Sequence, residues 1–205
     1  MGELKVTHIL KNDLGFSESS IKKIKKFHNH LLEHNKRYNL ISKNTENSIW
    51  SRHILDSAQL VKFIDFSKKV DLVDFGSGAG FPGLILSFYE PNSGFHVKLY
   101  EKSPVKRDFL MTIKNILNLD NISIENNVYE KEILADIIVC RAFKKLEEIF
   151  EISREIVKKP HKMIVLKGKN AQTEINNVSL ASNYSYKLEQ SITNDDSKII
   201  LVEAK

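Results

Sequence analysis

Apolar residues recur every three or four positions through the first third of the chain. Ile21, Ile24 and Leu31 follow this spacing between lysines, which is typical of an amphipathic helix. Ser17 precedes them and is a residue type that caps helix N-termini, whereas Gly15 is placed to end an earlier helix. The pattern predicts three helices: one from near Leu4, one after Ser17, and one from about Thr45 to Ile64.

Short apolar runs alternate with helical patterns from residue 70 onward. The predicted strands are 70–75, 95–100, 122–124, 136–140, 162–167 and 198–203, and the predicted helices are 82–90, 104–119 and 146–158. This alternation indicates an α/β fold, with a mostly parallel sheet covered by helices on both faces. The last two strands, about 184–190 and 197–203, flank the turn-like stretch TNDDS and are predicted to form an antiparallel edge hairpin.

Two regions follow from this change of pattern. Residues 1–66 are predicted to form a helical N-terminal cap, and residues 67–205 are predicted to form the α/β domain. The sequence has no long linker between the two regions, so we expect the cap to pack against the sheet as part of one compact unit.

Composition narrows the class of protein only slightly. The chain has 205 residues and a formal net charge of +5, which suits a polyanionic partner such as nucleic acid but also many other proteins. Its single cysteine, Cys140, cannot form an internal disulfide. No stretch resembles a signal peptide or a membrane span, so we expect a cytoplasmic protein. The seven histidines are scattered, and we expect no metal site.

The stretch VDLVDFGSGAGFPGLIL, residues 70–86, places four glycines directly after a predicted buried strand. In an open α/β sheet, ligands bind beyond the carboxyl ends of the strands, and glycines there let the backbone approach a ligand closely. Pro82 suits the first turn of the helix that follows. The order of strand, glycine loop and helix therefore predicts a nucleotide-like ligand at this edge.

Two ligand classes compete for this loop, because it also contains the GxGxxG pattern of dinucleotide sites. Asp74 lies beside the loop, where a carboxylate would repel a pyrophosphate but attract the cationic amino group and sulfonium of S-adenosylmethionine. Pro82 also removes an N–H donor that a pyrophosphate would use. Glu101 ends the next strand and can accept hydrogen bonds from the ribose hydroxyls of either ligand. The loop, with Asp74, Gly76 and Gly78, therefore favours S-adenosylmethionine as the cofactor.

Segments spread over most of the chain resemble the bacterial RsmG methyltransferases, also called the glucose-inhibited division protein B family. The matching segments are Asn39-Leu40, residues 52–57 (RHILDS), residues 74–83 (DFGSGAGFPG), Glu101 with residues 106–110 (KRDFL), residues 141–143 (RAF), and Lys167-Gly168. The resemblance implies a Rossmann-like class I methyltransferase fold. It also implies methylation of N7 of one guanine in 16S ribosomal RNA, near the decoding region, with S-adenosylmethionine as the donor.

The resemblance also assigns cofactor contacts by position. They fall on Gly76, Phe81, Val128, Tyr129 and Arg141. Cys140 departs from the family, which usually has a serine before the Arg-Ala pair, and we expect this change between two small residues to matter little. Guanine N7 carries a lone pair and no proton, so its methylation needs alignment with the methyl group rather than a general base.

Basic and polar residues in the same segments are candidates for contact with RNA. Arg52 and Asp56 are four residues apart on the predicted third helix and can pair, with His53 beside them, but the resemblance places this stretch at the mouth of the active site. The other candidates are Asn39, which can instead simply end the second helix, Lys106 and Arg107 at the start of a helix, and Lys167 after a strand at the same sheet edge. Residues 22–26 (KKIKK) fit either phosphate contacts or an exposed lysine-rich helix face.

Other functions remain open on the residues alone. A nicotinamide-dependent oxidoreductase would use the GxGxxG pattern, although Asp74 and the long helical segment before the first strand disfavour it. A non-catalytic RNA-binding module would keep the fold and bind RNA without methyl transfer, which the intact acid and glycine loop disfavour. The loop can also be a tight turn with no ligand. The expected partner is 16S rRNA or the small ribosomal subunit, and we expect a monomer.

Overall fold

Seven strands form a single sheet in the computed structural model, which describes residues 1–89, 94–130, 132–178 and 184–204. The strands are β1 (Val70–Phe75), β2 (Phe95–Tyr100), β3 (Ile122–Glu125), β4 (Ile137–Arg141), β5 (Lys162–Lys167), β6 (Tyr184–Gln190) and β7 (Lys198–Ala204). Their order is β3-β2-β1-β4-β5-β7-β6. The pairs from β3 to β5 are parallel, whereas β7 runs antiparallel to both β5 and β6. The predicted α/β fold with an antiparallel edge hairpin is confirmed.

Strand β1 is the point where the direction of winding through the sheet reverses. It pairs with β2 on one side and with β4 on the other, so that Phe75 lies opposite both Tyr100 and Cys140. The carboxyl ends of these three strands therefore meet at one edge of the sheet. A crevice opens at such a switch point, and it is where ligands bind in open α/β sheets.

Helices cover both faces of the sheet. They are α1 (Glu3–Asn12), α2 (Glu18–Tyr38), α3 (Lys43–Glu46), α4 (Asp56–Ala58), α5 (Gly83–Ser87), α6 (Pro104–Leu117), α7 (Leu146–Ile156) and α8 (Ala171–Asn177). Helix α2 begins as predicted, because the Ser17 hydroxyl accepts a hydrogen bond from the backbone N–H of Ser20 at 3.0 Å. Helix α8 was not predicted, and residue 90, the last of the predicted helix 82–90, lies outside the described residues.

The prediction of one regular helix from about Thr45 to Ile64 is wrong. After α3, the segment Trp50–Leu55 forms a π-helical turn, followed by α4 and a 3-10 turn at Gln59–Phe63. In the π-helical turn, the Asp56 N–H donates to the carbonyl of Ser51, five residues earlier. A π-helical turn is wider than an α-helical turn and occurs frequently at functional sites.

Two hydrophobic clusters pack on opposite faces of the sheet. Alternate residues of β1 divide between them, because Leu72 belongs to one cluster and Val73 to the other. The first cluster joins the N-terminal helices to α5 and α6, and the second joins the sheet to α7 and α8. Phe27 of α2 shows the join directly, since its ring lies 5.6 Å from that of Phe81 and 6.2 Å from that of Phe109. Within the described residues, no helix has the length and apolar character needed to cross a membrane.

Candidate active site

A cavity of about 800 Å³ lies at the carboxyl ends of β1, β2 and β4. The carboxyl ends of β1 to β4 and the loops that follow them form part of the wall. They contribute Gly76–Ala79 after β1, Tyr100–Lys102 at the end of β2, residues 126–129 after β3, and Arg141–Lys144 at the end of β4. The N-terminal cap and the β6–β7 turn complete the wall. The cavity therefore occupies the predicted ligand-binding edge.

The glycine loop follows β1 in a backbone conformation that favours glycine. Gly76 has a φ of +74°, and a Cβ atom there would lie 2.5 Å from a ring carbon of Phe143. The N–H of Gly78 donates to Oε2 of Glu101 at 2.8 Å, while Oε1 of Glu101 accepts from the N–H of Ser103 at 2.7 Å. Glu101 thus links the glycine loop to the end of β2, and its carboxylate also lines the cavity.

Asp74 lies beneath the glycine loop and does not reach the cavity wall formed by the described residues. Its side chain is fully buried, and Oδ2 accepts a hydrogen bond from the N–H of Gly83 at 2.8 Å. Oδ1 is buried with no hydrogen-bond partner among the described residues. Burial raises the pKa of Asp74 to about 7, and the hydrogen bond from Gly83 opposes this shift. The carboxyl group therefore fixes the start of α5 from below rather than facing a ligand across open space.

Arg141, His53 and Phe81 form a layered cluster in the wall. Nη2 of Arg141 lies 2.6 Å from Nδ1 of His53, and Nη1 donates to the backbone carbonyl of Arg52 at 2.8 Å. The His53 ring stacks on Phe81 with centroids 4.9 Å apart, and the Arg141 guanidinium lies 5.1 Å from the Phe81 centroid. Burial, and then the charges of Arg141 and Arg52, lower the pKa of His53 to about 3. The imidazole is therefore neutral at physiological pH.

Asp56 pairs with Arg141 rather than with Arg52, so the alternative interpretation of this stretch as an ion pair on the third helix is wrong. Oδ2 of Asp56 lies 3.8 Å from Nη1 of Arg141. Oδ1 accepts hydrogen bonds from Gln59 at 3.0 Å and from Thr193 at 3.0 Å. Arg141 belongs to β4 and Thr193 to the β6–β7 turn, so Asp56 finds its partners on segments far away in the sequence.

Besides Asp74, three predicted site residues lie away from the cavity wall. Asn39 ends α2 in the left-handed conformation, with φ of 47°, as the alternative interpretation of this residue expected. Nη1 of Arg107 lies 2.9 Å from the carbonyl of Glu101 and 2.7 Å from Oδ1 of Asn126, and so ties the loops after β2 and β3 together. Nζ of Lys167 donates to Glu174 of α8 and to the carbonyl of Lys144, each at 2.7 Å. Arg107 and Lys167 therefore hold loops that line the cavity.

The other predicted residues do line the cavity. Val128 is buried and Tyr129 is half exposed in a 3-10 turn after β3, while Lys106 and Arg52 border the opening. Sequence reasoning missed Thr193, Asn194 and Ser197 of the β6–β7 turn, which also line it. This turn lies more than 130 positions from Asp56 and Gln59, which it contacts, and no local pattern predicts that contact.

The residues that line the cavity offer the contacts that S-adenosylmethionine needs. Glu101 has lone pairs left for the two ribose hydroxyls after accepting two backbone N–H groups. Val128 and Tyr129 offer apolar and aromatic surface for an adenine ring. Among the described residues, no group of three His, Cys, Asp or Glu side chains is arranged to hold a metal ion.

Solved structures with a similar fold include proteins described as methyltransferases. The chain resembles the ribosomal protein L11 methylase of Lactobacillus delbrueckii subsp. bulgaricus, with a TM-score of 0.58, 10% identity, and coverage of 73% of this chain and 77% of that chain. It also resembles a SAM-dependent methyltransferase of Aquifex aeolicus, with a TM-score of 0.55, 13% identity, and coverage of 73% and 89%. The sheet order and the glycine loop define a Rossmann-like class I methyltransferase, a class that uses S-adenosylmethionine.

Sequence comparison identifies the family within this class. The family model described as rRNA small subunit methyltransferase G, GidB, matches residues 20–200. Proteins named ribosomal RNA small subunit methyltransferase G are 43% identical in Rickettsia felis, over 89% of this chain and 92% of the relative, and 41% identical in Rickettsia akari, over 91% and 95%. The chain belongs to the rRNA small subunit methyltransferase G family.

Proposed function

We propose that this protein transfers a methyl group from S-adenosylmethionine to N7 of one guanine in 16S rRNA, near the decoding region. The observation that carries the proposal is the cavity at the carboxyl ends of β1, β2 and β4, which joins the glycine loop and Glu101 to Arg141 and His53 in one wall. Membership of the methyltransferase G family supports rRNA of the small subunit as the substrate.

S-adenosylmethionine supplies an electrophilic methyl group on a sulfonium. We assign Glu101 to the ribose hydroxyls and Val128 with Tyr129 to the adenine, because these residues line the same part of the cavity. The backbone of Gly76 and Gly78 borders the same space. Two further contacts, Phe81 and Arg141, lie where the cap meets the sheet. Asp74 acts through the loop that it holds, since its carboxyl group lies behind Gly83.

Methyl transfer to N7 requires no proton acceptor, because the nitrogen attacks with its lone pair and carries no hydrogen. The protein then contributes alignment of N7 with the methyl group at close distance. His53 does not need to act as a base, and its Nδ1 lone pair already accepts a hydrogen bond from Arg141. Arg141 and His53 instead form a rigid part of the wall beside Phe81.

Three cations at the opening supply contacts for the RNA backbone. We call Arg52, Lys102 and Lys106 the cationic rim; all three line the cavity, and in the described part of the chain none of them forms an ion pair. Phosphate groups on either side of an extruded guanine would bind there. We also propose that the protein acts as a monomer, and an rRNA substrate supports a cytoplasmic location.

The arrangement of the loop disfavours the dinucleotide alternative. A pyrophosphate binds to free N–H groups at a helix N-terminus. Here Pro82 has no N–H, and the N–H of Gly83 donates to Asp74. The helix that follows, α5, has only five residues, so its dipole offers little to an anion. These features support the methyltransferase function over a nicotinamide-dependent oxidoreductase.

Labelled S-adenosylmethionine tests the proposal with two substrates, small ribosomal subunits and naked 16S rRNA. The product is mapped by borohydride reduction and aniline cleavage, which report N7-methylguanosine. We expect one labelled guanosine near the decoding region in at least one substrate. RNA binding with no transferred label on either substrate would instead indicate the non-catalytic RNA-binding module.

A further inference from the structure

A row of hydroxyl groups lines the part of the cavity that the N-terminal cap contributes. We call Ser42, Thr45, Ser48 and Ser51 the hydroxyl wall; they occur every third residue from the start of α3 into the π-helical turn, and all four line the cavity. Ser42 is exposed, Thr45 and Ser48 are half-buried, and Ser51 is buried. The hydroxyl wall thus runs from the exposed surface into the interior. It belongs to a different segment from the loops of the sheet that carry the proposed cofactor contacts.

Three hydroxyl protons of this segment are already used in hydrogen bonds to backbone carbonyls, so those oxygens can only accept from a ligand. Oγ1 of Thr45 donates to the carbonyl of Ser42 at 2.9 Å, and Oγ of Ser48 donates to the carbonyl of Thr45 at 3.2 Å. Oγ of Ser51 donates to the carbonyl of Ser48 at 3.3 Å. A hydroxyl has one proton and two lone pairs, so each of these oxygens keeps acceptor capacity for a ligand. The wall therefore suits a ligand edge that carries N–H donors.

His53 lines the same cavity, but neither ring nitrogen is free to bind a ligand there. A guanidinium cannot accept a hydrogen bond, so Nδ1 of His53 accepts from Arg141 and the neutral ring carries its proton on Nε2. Nε2 is buried and has no partner among the described residues. The polar groups that this side of the cavity offers to a ligand are therefore the hydroxyl groups.

Guanine carries N–H donors of the kind that a wall of hydroxyl acceptors would bind. Its N7 and O6 are acceptors, whereas N1–H and the 2-amino group are donors on the edge away from N7. When N7 faces S-adenosylmethionine, the edge that carries N1–H and the 2-amino group points away from the cofactor. Adenine lacks both donors on this edge, so an acceptor wall distinguishes the two purines. Enzymes that act on extruded bases commonly bind the Watson–Crick edge in this manner.

We propose that the hydroxyl wall binds the Watson–Crick edge of the target guanine, with Ser48 and Ser51 accepting hydrogen bonds from N1–H and the 2-amino group. The inference rests on the proposed function and adds the groups that select guanine.

The test compares guanosine with inosine, which lacks the 2-amino group, at the nucleotide that the parent protein labels. 16S rRNA carrying either nucleoside at that position is assembled by ligation, and transfer of labelled methyl from S-adenosylmethionine gives kcat/KM. For the parent we expect about a tenfold lower kcat/KM with inosine, because the wall leaves an acceptor unpaired. A Ser48→Ala, Ser51→Ala double variant should lose about a hundredfold with guanosine, which uses both acceptors, but only about tenfold with inosine, which keeps N1–H alone.

Ser87→Ala is the matched control. Ser87 is also buried and also donates to the carbonyl three residues back, that of Leu84 at 2.7 Å, but it does not line the cavity. Ser87→Ala should keep the parent's preference for guanosine over inosine. All variants should bind S-adenosylmethionine with the affinity of the parent, measured by isothermal titration calorimetry. Equal activity of the parent on both nucleosides, or equal loss by the double variant on both, would overturn the inference. Absence of label on guanosine with the parent would overturn the proposed function instead.

Discussion

Asp74 stabilises the glycine loop through one hydrogen bond, and two substitutions separate this role from its charge. Asp74→Asn keeps an oxygen that can accept from the Gly83 N–H, whereas Asp74→Ala leaves that buried N–H without an acceptor. We expect the alanine variant to bind S-adenosylmethionine at least tenfold more weakly than the parent, and the asparagine variant to lose less. Isothermal titration calorimetry of all three proteins measures the difference. An alanine variant with parental affinity would show that the loop does not depend on Asp74.

The pH dependence of stability provides a second prediction for Asp74. Burial raises its pKa in the folded state to about 7, above the ordinary value of 3.8. A raised pKa means that folding favours the protonated form, so the stability that this group contributes is present below pH 4 and is lost as pH rises to 7. The loss is at most about 4 kcal/mol over this range.

Urea unfolding at pH 4.5 and pH 7.5 measures this contribution, with Asp74→Asn as the reference. The other titrating groups cancel when the parent is compared with the variant at each pH. We expect the variant to gain stability relative to the parent on going from the lower to the higher pH. The same difference in free energy of unfolding at both pH values would mean that Asp74 is ionised throughout.

Single residues differ in how far their roles follow from the sequence. Glu101 was predicted to face the ligand because the end of a strand has a fixed place in a parallel sheet, and it lines the cavity. Lys167 was predicted to face RNA for the same reason, but it pairs with Glu174 of α8, a helix that was not predicted. A side-chain partner on another element decides whether a basic residue at the sheet edge is free to bind a ligand.

At the scale of elements, the loop after β1 and the loop after β4 are in contact through Gly76 and Phe143. Gly76→Ala combines a positive φ with a Cβ atom 2.5 Å from the Phe143 ring, so we expect it to lower the free energy of unfolding by about 2 kcal/mol or more. In a Phe143→Ala background the steric part should disappear, and the cost of Gly76→Ala should fall by about 1 kcal/mol. Urea unfolding of the four proteins measures this coupling.

Gly168→Ala is the control for this cycle. A Cβ atom at Gly168 would enter open space, with no atom within 4 Å beyond its chain neighbours, and the residue has no positive φ. The substitution should therefore leave stability nearly unchanged. An equal cost of Gly76→Ala in both backgrounds would mean that only the backbone conformation, and not the Phe143 ring, requires glycine.

The helical periodicity of residues 45–64 predicted an element but not its geometry. Apolar residues such as Ile49 and Ile54 are buried as the pattern requires. The π-helical turn between them leaves no mark in that pattern, because one extra residue per turn changes the direction of only a few side chains. The segment lies at the cavity as the resemblance implies, but Asp56 pairs with Arg141 of β4, a partner that helical periodicity does not predict.

For the whole molecule, the sequence predicted the order of strands and helices well because hydrophobic periodicity is local. The contact between the N-terminal cap and the β6–β7 turn, which completes the cavity wall, could not be predicted. Nε2 of Gln59 donates to Ser191 at 2.9 Å across 132 positions, and this contact brings the β6–β7 turn to the cavity. Such a contact depends on the packing of the N-terminal cap across the sheet, which no short pattern encodes.

The distribution of positive charge over the whole molecule predicts where the RNA backbone binds. The cationic rim borders the cavity, whereas the lysines of residues 22–26 lie on α2 and do not line it, and Lys25 pairs with Glu3 at 3.0 Å. Each cation that neutralises a phosphate of single-stranded RNA contributes about 0.7 to the slope of log affinity against log salt. We expect Arg52→Gln and Lys106→Gln each to lower the slope by about this amount.

Lys26→Gln removes the same charge from an exposed position on α2 and serves as the control for non-specific charge effects. RNA affinity measured by filter binding between about 50 and 200 mM salt, an ordinary range for such interfaces, gives the slopes. If Lys26→Gln changed the slope as much as Arg52→Gln, the RNA would extend over α2 and the cationic rim would not define the path. If only the rim variants change it, the phosphates converge on the opening, which places the extruded base between the hydroxyl wall and the glycine loop.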